Sequence, residues 1–317
     1  MKPRPHRTPH LCSFAIALPL AACSLSPADD DPDARVQTAR GPALHLIDAE
    51  NAYVAPDGTY HDNGHAMTLS ANACPPPVVV VGGRGGVGHA LRFTAPPAET
   101  GTGNNKQRAE TRFGGNLAGA TPDSRFPRLT NWTLPEGDVR WVGFSFRLAD
   151  DFEYQDQGQF LDVFQIKQTP RLDHPHPNAW MLLGTLPHGQ DPRDFYFEWR
   201  HGSGRRDAGG WTQELIRVGR PDRGVWHDFA VGFRFAADGD TGWVETRFKP
   251  SDAPPSAWET QRRDRVRVGY HAFERSLYTM QVGIYRRRTP KHMQIDFDDV
   301  RLGRTFADVT PHRPATP

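Results

Sequence analysis

The sequence predicts an all-β fold, a sandwich or jelly roll of two antiparallel sheets, on three observations. Gly and Pro, at 30 and 29 of 317 residues, are too frequent for a helical bundle or a coiled coil. After position 43 the apolar residues recur with period two in short runs, as strands require. Clusters of Gly, Pro, Asp and Asn separate those runs, as turns require.

In chain order, Val78–Val81 is an apolar run and Leu91–Phe93 a second, joined by Gly82-Gly83-Arg84-Gly85-Gly86-Val87-Gly88. The joining segment contains G-x-G-x-x-G, the dinucleotide fingerprint, which needs a helix opening on its glycines to hold the pyrophosphate. Leu91–Phe93 reads as a strand and Pro96-Pro97 closes the segment, so a glycine-rich loop between strands is the better reading. Trp141–Phe146, Phe195–Trp199, Trp226–Phe235, Gly242–Phe248 and Tyr278–Tyr285 each alternate, or nearly so. Ala236-Ala237-Asp238-Gly239-Asp240-Thr241 supplies a hairpin turn, so Trp226–Phe235 should pair with Gly242–Lys249. Ser256–Arg263 fits one short helical turn, and no internal repeat is present.

Lys and Arg number 38 against 37 Asp and Glu, a balance that argues against a nucleic-acid binder. Only five of the cations are Lys, at 2, 106, 167, 249 and 291; the other 33 are Arg, whose planar fork recognises carboxylates as Lys does not. Lys2, Arg4 and Arg7 precede an apolar stretch, Leu11–Ala22, too short to cross a bilayer, so residues 1–22 read as an export signal. Leu20-Ala21-Ala22-Cys23 resembles the bacterial lipobox, which implies a lipid on Cys23, and Ser24 after it implies sorting to the outer membrane. Residues 23–42 then form a flexible tether, 43–309 the folded domain and 310–317 a tail. Cys12 leaves with the signal and Cys23 carries lipid, so Cys74 has no partner and no disulfide is expected.

Three clusters are candidates for chemistry. In Lys106-Gln107-Arg108-Ala109-Glu110-Thr111-Arg112, a strand would put Lys106, Arg108, Glu110 and Arg112 on one face, suited to an anionic ligand; a solvated face with an ion pair is the competing reading. In Phe160–Gln168, alternation sets Phe160, Asp162, Phe164 and Ile166 on one face and Leu161, Val163, Gln165 and Lys167 on the other. In Tyr278–Arg288, Gln281, Gly283 and Tyr285 share a face, the glycine leaves space beside the tyrosine, and the nearby arginines favour a phenolate.

R-A-E-T-R at 108–112, Q-I-K at 165–167 and Q-V-G-I-Y at 281–285 follow the order and spacing of R-x-E-x-R, Q-x-H and K-x-G-x-Y in jelly-roll polysaccharide lyases. The chain thus resembles the family 7 alginate lyases, the glucuronan lyases and the heparin lyase I group, and Met293–Gly303 resembles the last strand of their concanavalin A-like sandwich. The resemblance implies β-elimination on an anionic polysaccharide by a monomer without a required cofactor. It implies catalytic roles for Tyr285, Lys167, Gln165 and Arg108, and substrate contacts from Lys106, Glu110, Arg112, Gln281 and Arg286. Two positions depart from the pattern: Lys167 replaces the usual histidine and Gln281 the usual lysine.

Other classes fit less well. A glycoside hydrolase on this fold would need two carboxylates flanking the scissile bond, and E-x-D-x-x-E is absent. Asp296 and Asp298 alternate on a strand and read as a structural calcium site or as sheet-edge acids. A non-catalytic carbohydrate-binding lipoprotein, stacking sugars on some of the eight Trp, is the alternative of a different class. His174-Pro175-His176 lacks the spacing of a zinc site but could fold over the cleft in place of the missing histidine, and His227 reads as a hydrogen-bonded strand residue.

Overall fold

The computed structural model describes residues 44–47, 53–54, 60–62, 65–71, 78–86, 88–98, 106–113, 135–169, 178–186, 191–202, 210–237, 239–270 and 277–311. The export signal, the tether 23–42, Cys12, Cys23, Cys74, His174, His176 and the side chain of Arg112 lie outside the described residues.

The strands, in chain order, are β1 Leu44–Ile47, β2 Tyr53–Val54, β3 Tyr60–Asp62, β4 His65–Ala71, β5 Val78–Gly82, β6 His89–Ala95, β7 Lys106–Phe113, β8 Val139–Leu148 and β9 Leu161–Thr169. They continue with β10 Asn178–Thr185, β11 Phe195–Gly202, β12 Trp211–Gly219, β13 Trp226–Arg234, β14 Gly242–Pro250, β15 Glu259–Val266, β16 Gly269–Tyr270, β17 Leu277–Arg287 and β18 Met293–Gly303. A short helix, α1, spans Phe306–Val309 and is closed by a capping box between Thr305 and Asp308.

These strands make two sheets, and the chain is all-β as its periodicity predicts. One runs β15-β14-β13-β8-β18-β6-β5, with β1 on β18; the other runs β12-β11-β10-β9-β17-β7-β4-β3-β2, with β16 on β11. Apart from the parallel β11–β16 pair, the pairings are antiparallel. The two sheets pack as a jelly-roll sandwich because their central strands, among them β8, β9, β13, β17 and β18, turn rows of large apolar residues inward. Phe144 on β8 meets Phe164 on β9 at 5.4 Å, and Trp180 on β10 meets Phe233 on β13 edge-on at 5.2 Å, so aromatic rings bridge the sheets.

The hairpin expected at 236–241 joins β13 to β14, with Arg234 opposite Trp243 and Phe229 opposite Phe248. The glycine-rich segment is a short 3₁₀ turn between β5 and β6, as the strand reading requires. His227 sits on β13 with Nδ1 3.0 Å from the Val225 carbonyl. Ser256–Arg263 departs from expectation: only Pro255–Ala257 is helical, of 3₁₀ type, and Glu259–Val266 is an edge strand whose charged side chains point to water.

Asp296 and Asp298, the two acids read as a calcium site or as sheet-edge acids, both have protein partners. Asp296 is fully buried and receives Arg92 through two bonds, at 2.7 and 3.0 Å, and Arg147 at 2.7 Å, so two guanidinium groups already neutralise it. Asp298 accepts the backbone N–H of Arg84 at 3.2 Å. Among the described residues no three His, Cys, Asp or Glu side chains gather as metal ligands.

Candidate active site

The three sequence clusters become three adjacent strands, β7, β17 and β9, in the middle of the ten-stranded sheet. Tyr285 lies opposite Arg108 on β7, Gly283 opposite Glu110 and Gln281 opposite Arg112. On the other side of β17, Gln281 lies opposite Gln165 and Thr279 opposite Lys167. Met280, Val282 and Ile284, alternating with these residues, belong to the hydrophobic core, so Gln281 and Tyr285 occupy the face turned away from it.

On that face Tyr285 is surrounded by cations. The Arg108 guanidinium carbon is 4.4 Å from the ring centroid, Lys106 Nζ 5.5 Å and Lys167 Nζ 5.8 Å, all within the range of cation–π attraction. Phe160 closes another side of the ring at 5.2 Å. Glu110 is buried beneath them: its Oε1 accepts Gln165 Nε2 at 2.8 Å, and its Oε2 is 3.9 Å from Arg108 Nε. One carboxylate therefore aims both an amide and a guanidinium, a stiffening that a strand pattern alone does not reveal.

Two sequence expectations change here. Arg286 is not on this face. It points into the sandwich, fully buried, where its guanidinium donates to Gln107 Oε1, at 3.0 and 2.8 Å, and to the carbonyls of Ala95, Pro96 and Lys291. Burial pulls it down to about 10, and it serves to tie β17 to the end of β6 rather than to meet a substrate. Gly283 is also explained differently: with φ at +134°, a Cβ there would fall 2.2 Å from the Ala109 carbonyl oxygen, so the backbone rather than a ligand demands glycine.

Asp162 is the residue that alternation assigned to the wrong side. Phe164 pairs with Val282 but Asp162 pairs with Tyr285, and on β10 Phe164 pairs with Leu183 while Asp162 pairs with Gly184. This slip is a bulge: Val163 and Phe164 both enter the core, and Asp162 turns to the tyrosine face. Burial pushes its carboxyl well above the ordinary range, Glu198 and Glu110 push it the same way, and Arg200 and Lys167 oppose.

Glu198 and Arg200 on β11 were missed too, although Tyr196, Glu198 and Arg200 alternate with Phe197 and Trp199 in plain view. Glu198 is buried and ion-paired to Arg200, whose guanidinium lies 4.4 Å over the Trp211 ring. Burial raises the Glu198 carboxyl, and Arg200 counters it. Lys106, Arg108, Glu110, Gln165, Lys167, Gln281 and Tyr285 are thus brought together as the sequence motifs suggest.

The sequence that builds this face matches the polysaccharide lyase family over residues 77–301, more than half of the 317. The chain belongs to that family. Among solved structures the lyase is similar to an endo-β-1,4-glucuronan lyase from the fungus Trichoderma reesei, at 18% identity and TM-score 0.52, covering 86% of this chain and 98% of that one. It is also similar to a PL-14 alginate lyase from Aplysia kurodai, at 9% identity and TM-score 0.49, covering 72% and 87%. At such identities the likeness is one of fold. No curated protein sequence matches the lyase.

Proposed function

We propose that this lyase cleaves a uronic-acid-containing polysaccharide, of the glucuronan, alginate or heparin-like type, by β-elimination that leaves an unsaturated uronate end. The reading is carried by Tyr285, an acid–base residue set among Lys106, Arg108 and Lys167. In such an elimination the C5–H bond breaks, its electrons form the C4–C5 double bond, and the C4–O4 bond breaks with protonation of O4. The C5 proton leaves beside a carboxylate that is already negative, so the site has to hold that carboxylate and stabilise the added charge. Each positioned donor contributes about 3–4 kcal/mol to that task.

Arg108, Arg112 and Gln165 are assigned to the carboxylate, with Glu110 orienting Arg108 and Gln165 through the contacts described. Tyr285 takes the C5 proton or delivers one to O4, and Lys167, in place of a histidine, supplies charge or the second proton transfer. Lys106 and Gln281 flank the same strands as substrate contacts.

The test is to incubate the enzyme with a panel of polyuronates and follow the ultraviolet absorbance of the new double bond. Tyr285→Phe should lower turnover by about 10²–10⁴-fold while the protein still folds. Survival of most activity in that variant would remove Tyr285 from the mechanism. Binding across the panel without any new absorbance from the wild type would leave a lectin-like role.

A further inference from the structure

Two side chains beside the proposed site have polar atoms that nothing among the described residues satisfies. Gln281 is 0% exposed, and neither its Oε1 nor its Nε2 has a hydrogen-bond partner there; Thr279, 2% exposed, is in the same state at Oγ1. Both lie on β17, and the core residues Tyr278, Met280 and Val282 alternate with them, so they share the face of Tyr285. Gln165 offers the contrast, because its amide is already held by Glu110. Buried amides and hydroxyls in folded chains are nearly always bonded, since an unmet one has lost its water without compensation.

We propose that Thr279 and Gln281 form a subsite for the hydroxyl groups of a neighbouring sugar of the polymer. This assignment rests on the lyase acting at Tyr285 and adds the chemistry read next to it. An amide oxygen only accepts, and a carboxylate has no hydrogen to give it, whereas a sugar hydroxyl both donates and accepts. The Thr279 hydroxyl has the same double capacity. Gln281 stands four residues along β17 from Tyr285, about 13 Å at the rise of a strand, which puts it beneath a different sugar from the one losing its C5 proton. Entry of that sugar has to shift Lys167, which stands opposite Thr279 and has a flexible four-carbon stem. Where related enzymes place a lysine, this chain therefore reads an uncharged group.

The experiment compares wild type with Gln281→Met and Thr279→Val, on a cleaved polyuronate before and after partial O-methylation, which removes hydroxyl donors. Both variants should melt at or above the wild-type temperature, because they delete unmet buried polar atoms. Their kcat/KM on the parent polymer should fall about 10–100-fold, and their discrimination against the methylated polymer should shrink relative to wild type. Unchanged kcat/KM, or undiminished discrimination in both variants, overturns the subsite. A drop in melting temperature in both also overturns it, since it would mean that these groups are bonded within the fold. The same substitutions in a Tyr285→Phe background, read by polymer affinity alone, separate the two assignments. Weaker binding without cleavage in the parent enzyme would sink only the lyase substrate, and a panel neither bound nor cleaved would sink both.

Discussion

Tyr285 and Arg286 are sequence neighbours whose side chains leave β17 on opposite faces, one toward the cation cluster and one into the sandwich, and their substitutions should be told apart by different measurements. Arg286→Met removes the donor that Gln107 Oε1 and the Ala95 and Lys291 carbonyls receive, while Pro96 keeps Gln107 Nε2, so it should cost about 3 kcal/mol in denaturant unfolding while the KM of the folded fraction stays put. Asp298 makes a pH prediction. Burial, with the charge of Asp299 nearby, raises its carboxyl from 3.8 to about 6. A carboxyl raised by folding contributes stability that is present below about pH 4 and lost as pH rises through about 6. Asp298→Asn should therefore stabilise the enzyme by up to roughly 3 kcal/mol at pH 8 and by nothing near pH 3, read from unfolding curves at each pH.

At the scale of elements, the bulge in β9 decides what the site contains. Strict alternation keeps Asp162 with Phe164 and Ile166, and a single slip at Val163 moves it beside Tyr285. β10 accommodates the slip with glycine: a Cβ at Gly184 would sit 1.8 Å from the Leu161 carbonyl oxygen and 2.9 Å from Asp162 Cα. Gly184→Ala should accordingly destabilise the fold by about 1–3 kcal/mol and lower activity by moving Asp162, with chemical denaturation and turnover as the two readouts. Strands with a regular period were legible in the sequence: β8, β11, β13, β14 and β17 fall where the alternation puts them, and β18 where the family resemblance puts it. The bulge was not, because it depends on how β9 registers against two other strands. The edge strand β15 was misread for a related reason, since its run of charged residues carries no burial signal and only pairing with β14 makes it a strand.

Across the whole molecule, the formal charge is close to zero, yet Lys106, Arg108 and Lys167 converge on one ring. A polyanion bound there should feel attraction that salt screens over about 10 Å at 0.1 M, so KM should rise with ionic strength while kcat moves little. A salt-independent KM would mean that the cations are spent within the protein. The sequence by itself determined the all-β class, the pairing of the central hairpin and the family motifs, because period-two burial and turn chemistry are local properties of the chain. It also determined which strand faces carry Arg108, Gln165, Lys167 and Tyr285. Only the tertiary structure decided which of the remaining polar residues join them. Asp162, Glu198 and Thr279 entered the site region, and Arg286 left it, because burial, register and partner supply are set between strands that lie far apart in the chain.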